Sequence, residues 1–265
     1  MKQSIKVTHQ LTAQDINDFF DDRLTLLKIP NYFDSELALR AASWFFSHET
    51  PEPWFLDANK SVKTDMDYIF GVPRRVANQR PEMARKYQES SQEFWKKLEQ
   101  AFGTSATPMH TLIATLREQF PEHFRILDFA GAPGLPAIVR SMTHMSCAEG
   151  ICHVDSFPNT KQLSANLYLE TPVVGGELKI WDIARDELKP ESAWYRIITK
   201  HAYQEEFVES VQLFLPPPVV VPVAPGDLII FDTSKPHAVR GVAKGRRIAL
   251  QTFLRREQEK LVLVS

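Results

Sequence analysis

The sequence predicts an α+β fold: a mostly helical N-terminal part supporting a β-sandwich or barrel. Three observations carry this. Helical periodicity concentrates before about residue 135. Short extended runs broken by glycine and proline follow it. The chain has 265 residues, 43% of them hydrophobic, enough for a well-buried core. That length suits one domain of the large β-barrel or α/β sort, or two small ones. With no repeat and no low-complexity linker, we read residues 1–265 as one domain, with residues 1–134 supporting a core at 135–256.

The helical part follows from its spacing. Asp34–Glu49 opens on an N-cap residue and carries Leu37, Ala41, Trp44 and Phe45 at helical intervals. Arg80–Gly103 has Pro81 near its first turn, Met83, Tyr87, Phe94, Leu98 and Phe102 broadly on one face, and a glycine stop. Met109–Phe120 is a third amphipathic segment. The stretch 51–75, "PEPWFLDANKSVKTDMDYIFGVPRR", reads as irregular.

The strands follow from a change of texture. "LPAIVRSMTHM" is extended. "KQLSANLYLE" puts Leu163, Ala165, Leu167 and Leu169 on one face and Ser164, Asn166 and Tyr168 on the other. "GGELKIWD" follows a glycine turn, "VVVPVAPGDLIIFD" holds two extended runs, and "RRIALQTFLRR" closes the set. Residues 183–218 are charged and aromatic, include a helix candidate at 201–214 and end in three prolines. They read as a lid-like insertion on one edge.

Composition removes several classes. A net charge of −2 and the lack of a basic, aromatic strip argue against nucleic acid. No run of eighteen apolar residues suggests a membrane span. The first twenty residues lack a signal core, and two cysteines make no disulfide framework, so a soluble cytoplasmic protein is expected. Cys147 and Cys152 have no second pair for a structural zinc site.

One constellation carries chemistry. His153 and Asp155 stand at i and i+2, so a strand places them on one face. A non-haem Fe(II) site takes two imidazoles and a carboxylate on one face and leaves the opposite positions open. His237, 82 positions beyond Asp155 and just after "DLIIFD", is the distant imidazole on offer. Ten residues further, Arg247 opens a strand behind Gly245. It could grip a carboxylate with two parallel hydrogen bonds, with the Tyr168 hydroxyl as a second partner. Arg247, Ala249, Gln251 and Phe253 would share its face.

Taken in order, "HVD…YLE…GGEL…PGDLIIFD…PHAV…GRR" resembles the Fe(II)/2-oxoglutarate-dependent oxygenases with a double-stranded β-helix (jelly-roll) fold, over roughly Leu135–Arg256. It is similar in particular to the stand-alone hydroxylase and halogenase branch that modifies small metabolites. The resemblance implies that His153, Asp155 and His237 bind iron. It implies that Arg247 and Tyr168 hold the distal carboxylate of 2-oxoglutarate, and that Leu178 lines the same pocket. Arg246 is the competitor; Arg247 is favoured because "RIALQTF" then points inward in register. Halogenating members carry glycine or alanine where this chain has Asp155, which points to hydroxylation.

Other residues have two readings. Asn166 and Gln251 could hydrogen-bond 2-oxoglutarate or substrate, or serve structure. Arg140 could bind a substrate carboxylate or phosphate, or lie on the surface. Trp54, Phe55, Tyr68 and Phe70 could line the substrate mouth or pack in the core. Phe157, two residues past Asp155, joins Arg140 and Trp54 as a substrate candidate. His144 and His201 read as exposed or hydrogen-bonded, and Cys152 as packing behind the metal face.

The expected activity is an Fe(II)-, 2-oxoglutarate- and O2-dependent dioxygenase that hydroxylates an unactivated C–H bond of a small molecule and releases succinate and CO2. The substrate would be amino-acid-like or a specialised metabolite. The competing readings are a peptide or protein side chain as substrate, desaturation or ring closure as outcome, and a non-catalytic binding barrel.

Overall fold

The computed structural model describes residues 4–55, 63–143, 150–155, 161–183, 185–188, 191–198 and 212–265. In chain order the elements begin with β1 (Ser4–Val7), α1 (Ala13–Phe20), β2 (Leu24–Ile29), α2 (Ser35–His48), β3 (Glu52–Phe55) and β4 (Lys63–Phe70). They continue with α3 (Arg74–Gln79), α4 (Pro81–Phe102), α5 (Pro108–Gln119), β5 (Phe124–Ile126) and β6 (Ile138–Met142). The remainder is β7 (Gln162–Glu170), β8 (Leu178–Ile180), α6 (Ala193–Arg196), β9 (Val219–Val221), β10 (Leu228–Asp232), β11 (His237–Val239), β12 (Arg247–Glu257) and β13 (Lys260–Val264). No described helix is long and apolar enough to cross a membrane.

The predicted helices form for the reasons their sequences give. Asp34 caps α2 by accepting a hydrogen bond from the Leu37 amide. The buried stripe of α2 is Ala38, Ala41, Ala42 and Phe45, with Leu37 and Trp44 on its flanks. α4 starts on Pro81 and stops where Gly103 turns left-handed at φ 67°.

The N-terminal part is less helical than expected, because it also supplies five strands. β2 is a short, almost wholly buried apolar run that pairs with β10. The stretch read as irregular instead forms β3 and β4, and β4 pairs antiparallel with β6. Both strands extend the central sheet, so these residues are built into it and do not merely rest on it.

The strands form two sheets. The ten-stranded one runs β1-β2-β10-β7-β12-β6-β4-β3, with β13 paired to β12 and β5 to β13. The three-stranded one runs β11-β8-β9. The chain alternates between them: β6 in the large sheet, residues 150–155 bridged to β11 in the small one, then β7 large, β8 and β9 small, β10 large, β11 small, β12 large. This is the alternation of a double-stranded β-helix jelly roll. Among the described residues the two sheets do not close into a barrel.

Each face of the large sheet has its own filling. Leu163, Ala165, Leu167 and Leu169 of β7, with Ile248, Leu250 and Leu254 of β12, belong to the main core shared with α2 and α4. Burying each of these leucine and isoleucine side chains is worth about 1.5–3 kcal/mol. Tyr168, Leu178, Ile180, Val221, Ile229 and Phe231 form a second cluster with members from both sheets, so the sheets face each other across it. A third cluster lies behind the small sheet. Cys152, Trp181 and Ala238 are covered there by Ile183, Leu188, Trp194, Ile197, Ile198 and Leu215, the described parts of the 183–218 insertion. Most of the helix candidate at 201–214 lies outside the described residues.

Candidate metal centre and anion pocket

The metal face is set by backbone pairing. His153 and His237 exchange both N–H···O bonds at 2.9 Å, which makes them directly opposed residues of an antiparallel bridge with side chains on one side. Their ring centroids are 4.3 Å apart. Cys152 and Ala238, one residue away on each arm, point to the opposite face, as alternation requires. Asp155 follows two residues after His153. Its amide donates to the Thr233 carbonyl at 2.9 Å, and the Thr233 hydroxyl donates to the Asp155 carbonyl at 3.2 Å. The Asp155 carboxylate lies 3.9 Å from His153 Nε2 and 3.7 Å from His237 Nε2. One ligand atom from each of the three residues falls within 4.8 Å of the others, so the group could hold a metal ion.

The imidazoles are oriented by their far nitrogens. His153 Nδ1 lies 2.8 Å from the Ile151 carbonyl, and His237 Nδ1 lies 2.9 Å from the Lys235 carbonyl. A carbonyl only accepts, so each Nδ1 carries the proton in the neutral ring. Each Nε2 lone pair is then left facing Asp155. Burial, reinforced by the His237 ring and opposed by Asp155, pushes His153 down to about 4. Burial alone would raise the Asp155 carboxyl. The His237 ring beside it, with His153 and Arg140, outweighs burial and holds the group well below the usual carboxylate range. Two imidazoles and a carboxylate with open positions beside them are a donor set that fits a divalent iron. His237 is deep (side chain 6% exposed), whereas His153 and Asp155 are 25% and 36% exposed, so the site opens on their side.

A buried cation sits on the same inner space. Arg247, 8% exposed, donates from Nη2 to the Tyr168 hydroxyl at 2.9 Å and rests over the Tyr168 ring. Nη1 lies 3.6 Å from the Met142 sulfur, and the buried Nε has no hydrogen-bond partner among the described residues. No described carboxylate pairs with this guanidinium. An unsatisfied buried N–H and an unneutralised charge together fit an anionic ligand. Arg246, its neighbour, has its charge met on the other face of the strand. Its Nε and Nη2 donate to the two Glu170 oxygens at 3.0 and 2.8 Å, and its guanidinium lies over Phe46. The turn before β8 is tight enough to require its glycines: a Cβ on Gly175 (φ +88°) would fall 1.7 Å from the Gly241 carbonyl oxygen. That turn leads directly to Leu178, which packs with Tyr168.

The remaining sequence candidates divide. Gln251 joins a polar relay rather than an open pocket. Its Oε1 accepts from Arg140 Nη1, and its Nε2 donates to Ser164 Oγ at 3.0 Å. Asn166 Nδ2 donates to the same hydroxyl at 2.9 Å. Both polar ends of Gln251 are thereby engaged by the protein, which favours the structural reading for it. Ser164 is the hub of this relay, a role the sequence did not single out, although its place on the Asn166–Tyr168 face signalled it. Thr233 and Met142 were also missed, because their contacts are set by pairing between distant strands. Arg140 is on the site face, paired across the sheet with Ala249 and Tyr68. Phe157, His144, His201 and Cys147 lie outside the described residues, as does the side chain of Trp54.

Residues 142–255 match the family model of the 2OG-Fe(II) oxygenase superfamily. The fold is similar to an N-substituted L-amino acid dioxygenase from Burkholderia ambifaria AMMD, at 16% identity and a TM-score of 0.57, over 96% of this chain and 91% of that one. The same dioxygenase solved with alpha-ketoglutarate matches at 14% identity and 0.57 over the same shares. HygX from Streptomyces hygroscopicus, solved with nickel and 2-oxoglutarate, matches at 13% identity and 0.50, over 92% of this chain and 87% of that one. These likenesses are of fold. A comparison with curated proteins finds no match. The superfamily uses Fe(II), 2-oxoglutarate and O2. Residues 142–255, which hold the three candidate ligands and Arg247, carry this chain's similarity to the 2OG-Fe(II) oxygenase superfamily, an enzyme family.

Proposed function

We propose that the chain hydroxylates an unactivated C–H bond of a small, amino-acid-like or specialised metabolite, with residues 1–265 acting as one unit. His153, Asp155 and His237 hold the iron. Arg247 and Tyr168 hold the distal carboxylate of 2-oxoglutarate, and Leu178 lines that pocket. Iron, when bound, supplies the activation of O2 that couples 2-oxoglutarate decarboxylation to C–H oxidation. In balance, substrate, 2-oxoglutarate and O2 give the alcohol, succinate and CO2, with one oxygen atom in the alcohol and one in succinate.

The residues of this chain bind, orient and exclude water. The Ile151 and Lys235 carbonyls hold both Nε2 lone pairs toward the metal position. The observation that carries the proposal is the buried Arg247, whose Nε is unsatisfied and whose other contacts are the Tyr168 hydroxyl and the Met142 sulfur. A dicarboxylate spanning metal and guanidinium would satisfy both. Hydroxylation is favoured over halogenation because Asp155 supplies a third protein ligand. A small substrate is supported by the near-neutral charge and by the fold's likeness to a dioxygenase of N-substituted amino acids.

The test is turnover. With Fe(II), ascorbate and a metabolite extract, the wild type should form succinate together with a product that has gained one oxygen. His153→Ala and His237→Ala should form neither. A wild type that binds neither Fe(II) nor 2-oxoglutarate in calorimetry would contradict the proposal. A product that has lost two hydrogens would replace hydroxylation with desaturation or ring closure.

A further inference from the structure

A buried ammonium sits two residues from one of the candidate ligands. Lys235 is 1% exposed and lies in the turn between β10 and β11, just before His237. Its backbone carbonyl is the group that accepts from His237 Nδ1 at 2.9 Å. Its Nζ donates to the Ile183 carbonyl at 2.9 Å and lies 3.6 Å from the Asp182 carboxylate, which is 45% exposed. Sealing an ammonium from water is costly, and an apolar side chain of similar volume would fill the same space without that cost. The lysine therefore calls for a role other than filling.

The backbone shows what the ammonium replaces. β11 and β8 pair antiparallel, with His237 opposite Ile180. One row further, the Trp181 amide donates to the Pro236 carbonyl at 2.9 Å, and Pro236 has no N–H to donate in exchange. The Ser234 amide is taken by the Asp232 carboxylate at 2.9 Å. Pairing by amides stops there, and the Lys235 ammonium becomes the donor for the Ile183 carbonyl. Ile183 opens the 183–218 insertion and packs with Cys152, Trp181 and Ala238 on the outer face of the two metal-bearing arms. One residue thus joins two things: its main chain orients a metal ligand, and its side chain ties down the insertion.

We propose that Lys235 is a positioning residue of the iron site: by pinning the Ile183 carbonyl it fixes the turn that carries His237, and so couples metal binding to the seating of the insertion. The effect runs through His237. If the turn shifts, its carbonyl no longer holds the ring, and Nε2 loses its aim. Asp182 is the lesser partner, because an exposed carboxylate at 3.6 Å is screened by water. The coupling is reciprocal: whatever the seated insertion adds to metal affinity, the bound metal adds to the seating. The inference rests on the proposed role of His237 and goes beyond it by naming the residue that supports that role and the segment it links to the metal.

The experiment uses the full chain carrying Cys147→Ser, which leaves Cys152 as its one thiol. Cys152 is 1% exposed and packs with Ile183, so its rate of labelling by a thiol reagent reads the seating of the insertion. Mn(II) affinity is read separately by calorimetry. In this parent protein, saturating Mn(II) should slow the labelling severalfold. Lys235→Met should weaken Mn(II) binding roughly ten- to a hundredfold, as loss of the support behind a metal ligand does. It should also speed labelling of the metal-free protein and lose most of the protection that Mn(II) gives. Asp182→Asn should leave both readouts close to the parent's; a loss equal to that of Lys235→Met would overturn the clamp on the Ile183 carbonyl. A folded Lys235→Met protein with the parent's Mn(II) affinity makes the lysine merely structural and overturns the proposal. So does a parent whose labelling is indifferent to bound Mn(II), a result that requires no Lys235 variant to fold. A parent that binds no Mn(II) at all instead sinks the proposed metal centre itself, so the two failures are distinguishable.

Discussion

The two faces of β7 share one backbone and meet opposite surroundings. On one, Leu163, Ala165, Leu167 and Leu169 are sealed in the main core against α2. On the other, Ser164, Asn166 and Tyr168 are just as buried, but each is bonded into a polar set reaching Gln251, Arg140 and Arg247. The apolar face is satisfied by the protein alone. The polar face is left with an unsatisfied Arg247 Nε and three ligand atoms crowded within 4.8 Å. The contrast shows how stability and chemistry are separated across one strand: the dry face makes the sheet rigid, and the rigid sheet aims groups that need an outside partner.

Substitutions can break that separation or sharpen it. The largest effect is expected on the metal side. His237→Ala should reduce succinate formation to background and abolish Fe(II) binding, while the thermal midpoint of the metal-free protein changes little. Titration calorimetry and a melting curve on one sample check both halves. Next comes Arg247→Ala, which should weaken 2-oxoglutarate roughly a hundredfold and leave metal affinity nearly untouched; equal loss of both would count against its role. On the dry face, Leu169→Ala should cost about 2–5 kcal/mol of unfolding free energy. In denaturant titrations that loss should appear without a change in 2-oxoglutarate affinity of the folded protein. The smallest effect belongs to Arg246→Ala. It removes a partly exposed ion pair with Glu170 and should cost about 1 kcal/mol or less, with no change in KM for 2-oxoglutarate.

Much of the site was legible because its signals are local. His153 and Asp155 declare a shared face by spacing alone, and the alternation in "KQLSANLYLE" separates the two faces of β7 before any coordinates. The choice of Arg247 over Arg246 followed from the same period-two argument, and the bidentate pairing of Arg246 with Glu170 agrees with it. What escaped depends on distant partners. β2 is a short apolar run that could equally be a helix fragment, and only β10 makes it a strand. β4 carries Lys63, Asp65 and Asp67, which weaken strand propensity, and it is held by pairing with β6. β11 has three residues and exists through β8. The Ser164 hub and the Arg140–Gln251 contact required the register between β6, β12 and β7, which no single segment encodes.

The account turns on which of two adjacent arginines faces the ligand. Titrating 2-oxoglutarate into Mn(II)-loaded wild type, Arg246→Ala and Arg247→Ala tests it most directly. Wild type and Arg246→Ala should bind alike, and Arg247→Ala should bind far more weakly. Tight binding by Arg247→Ala, with loss in Arg246→Ala, would contradict the assignment of the polar face as the co-substrate site.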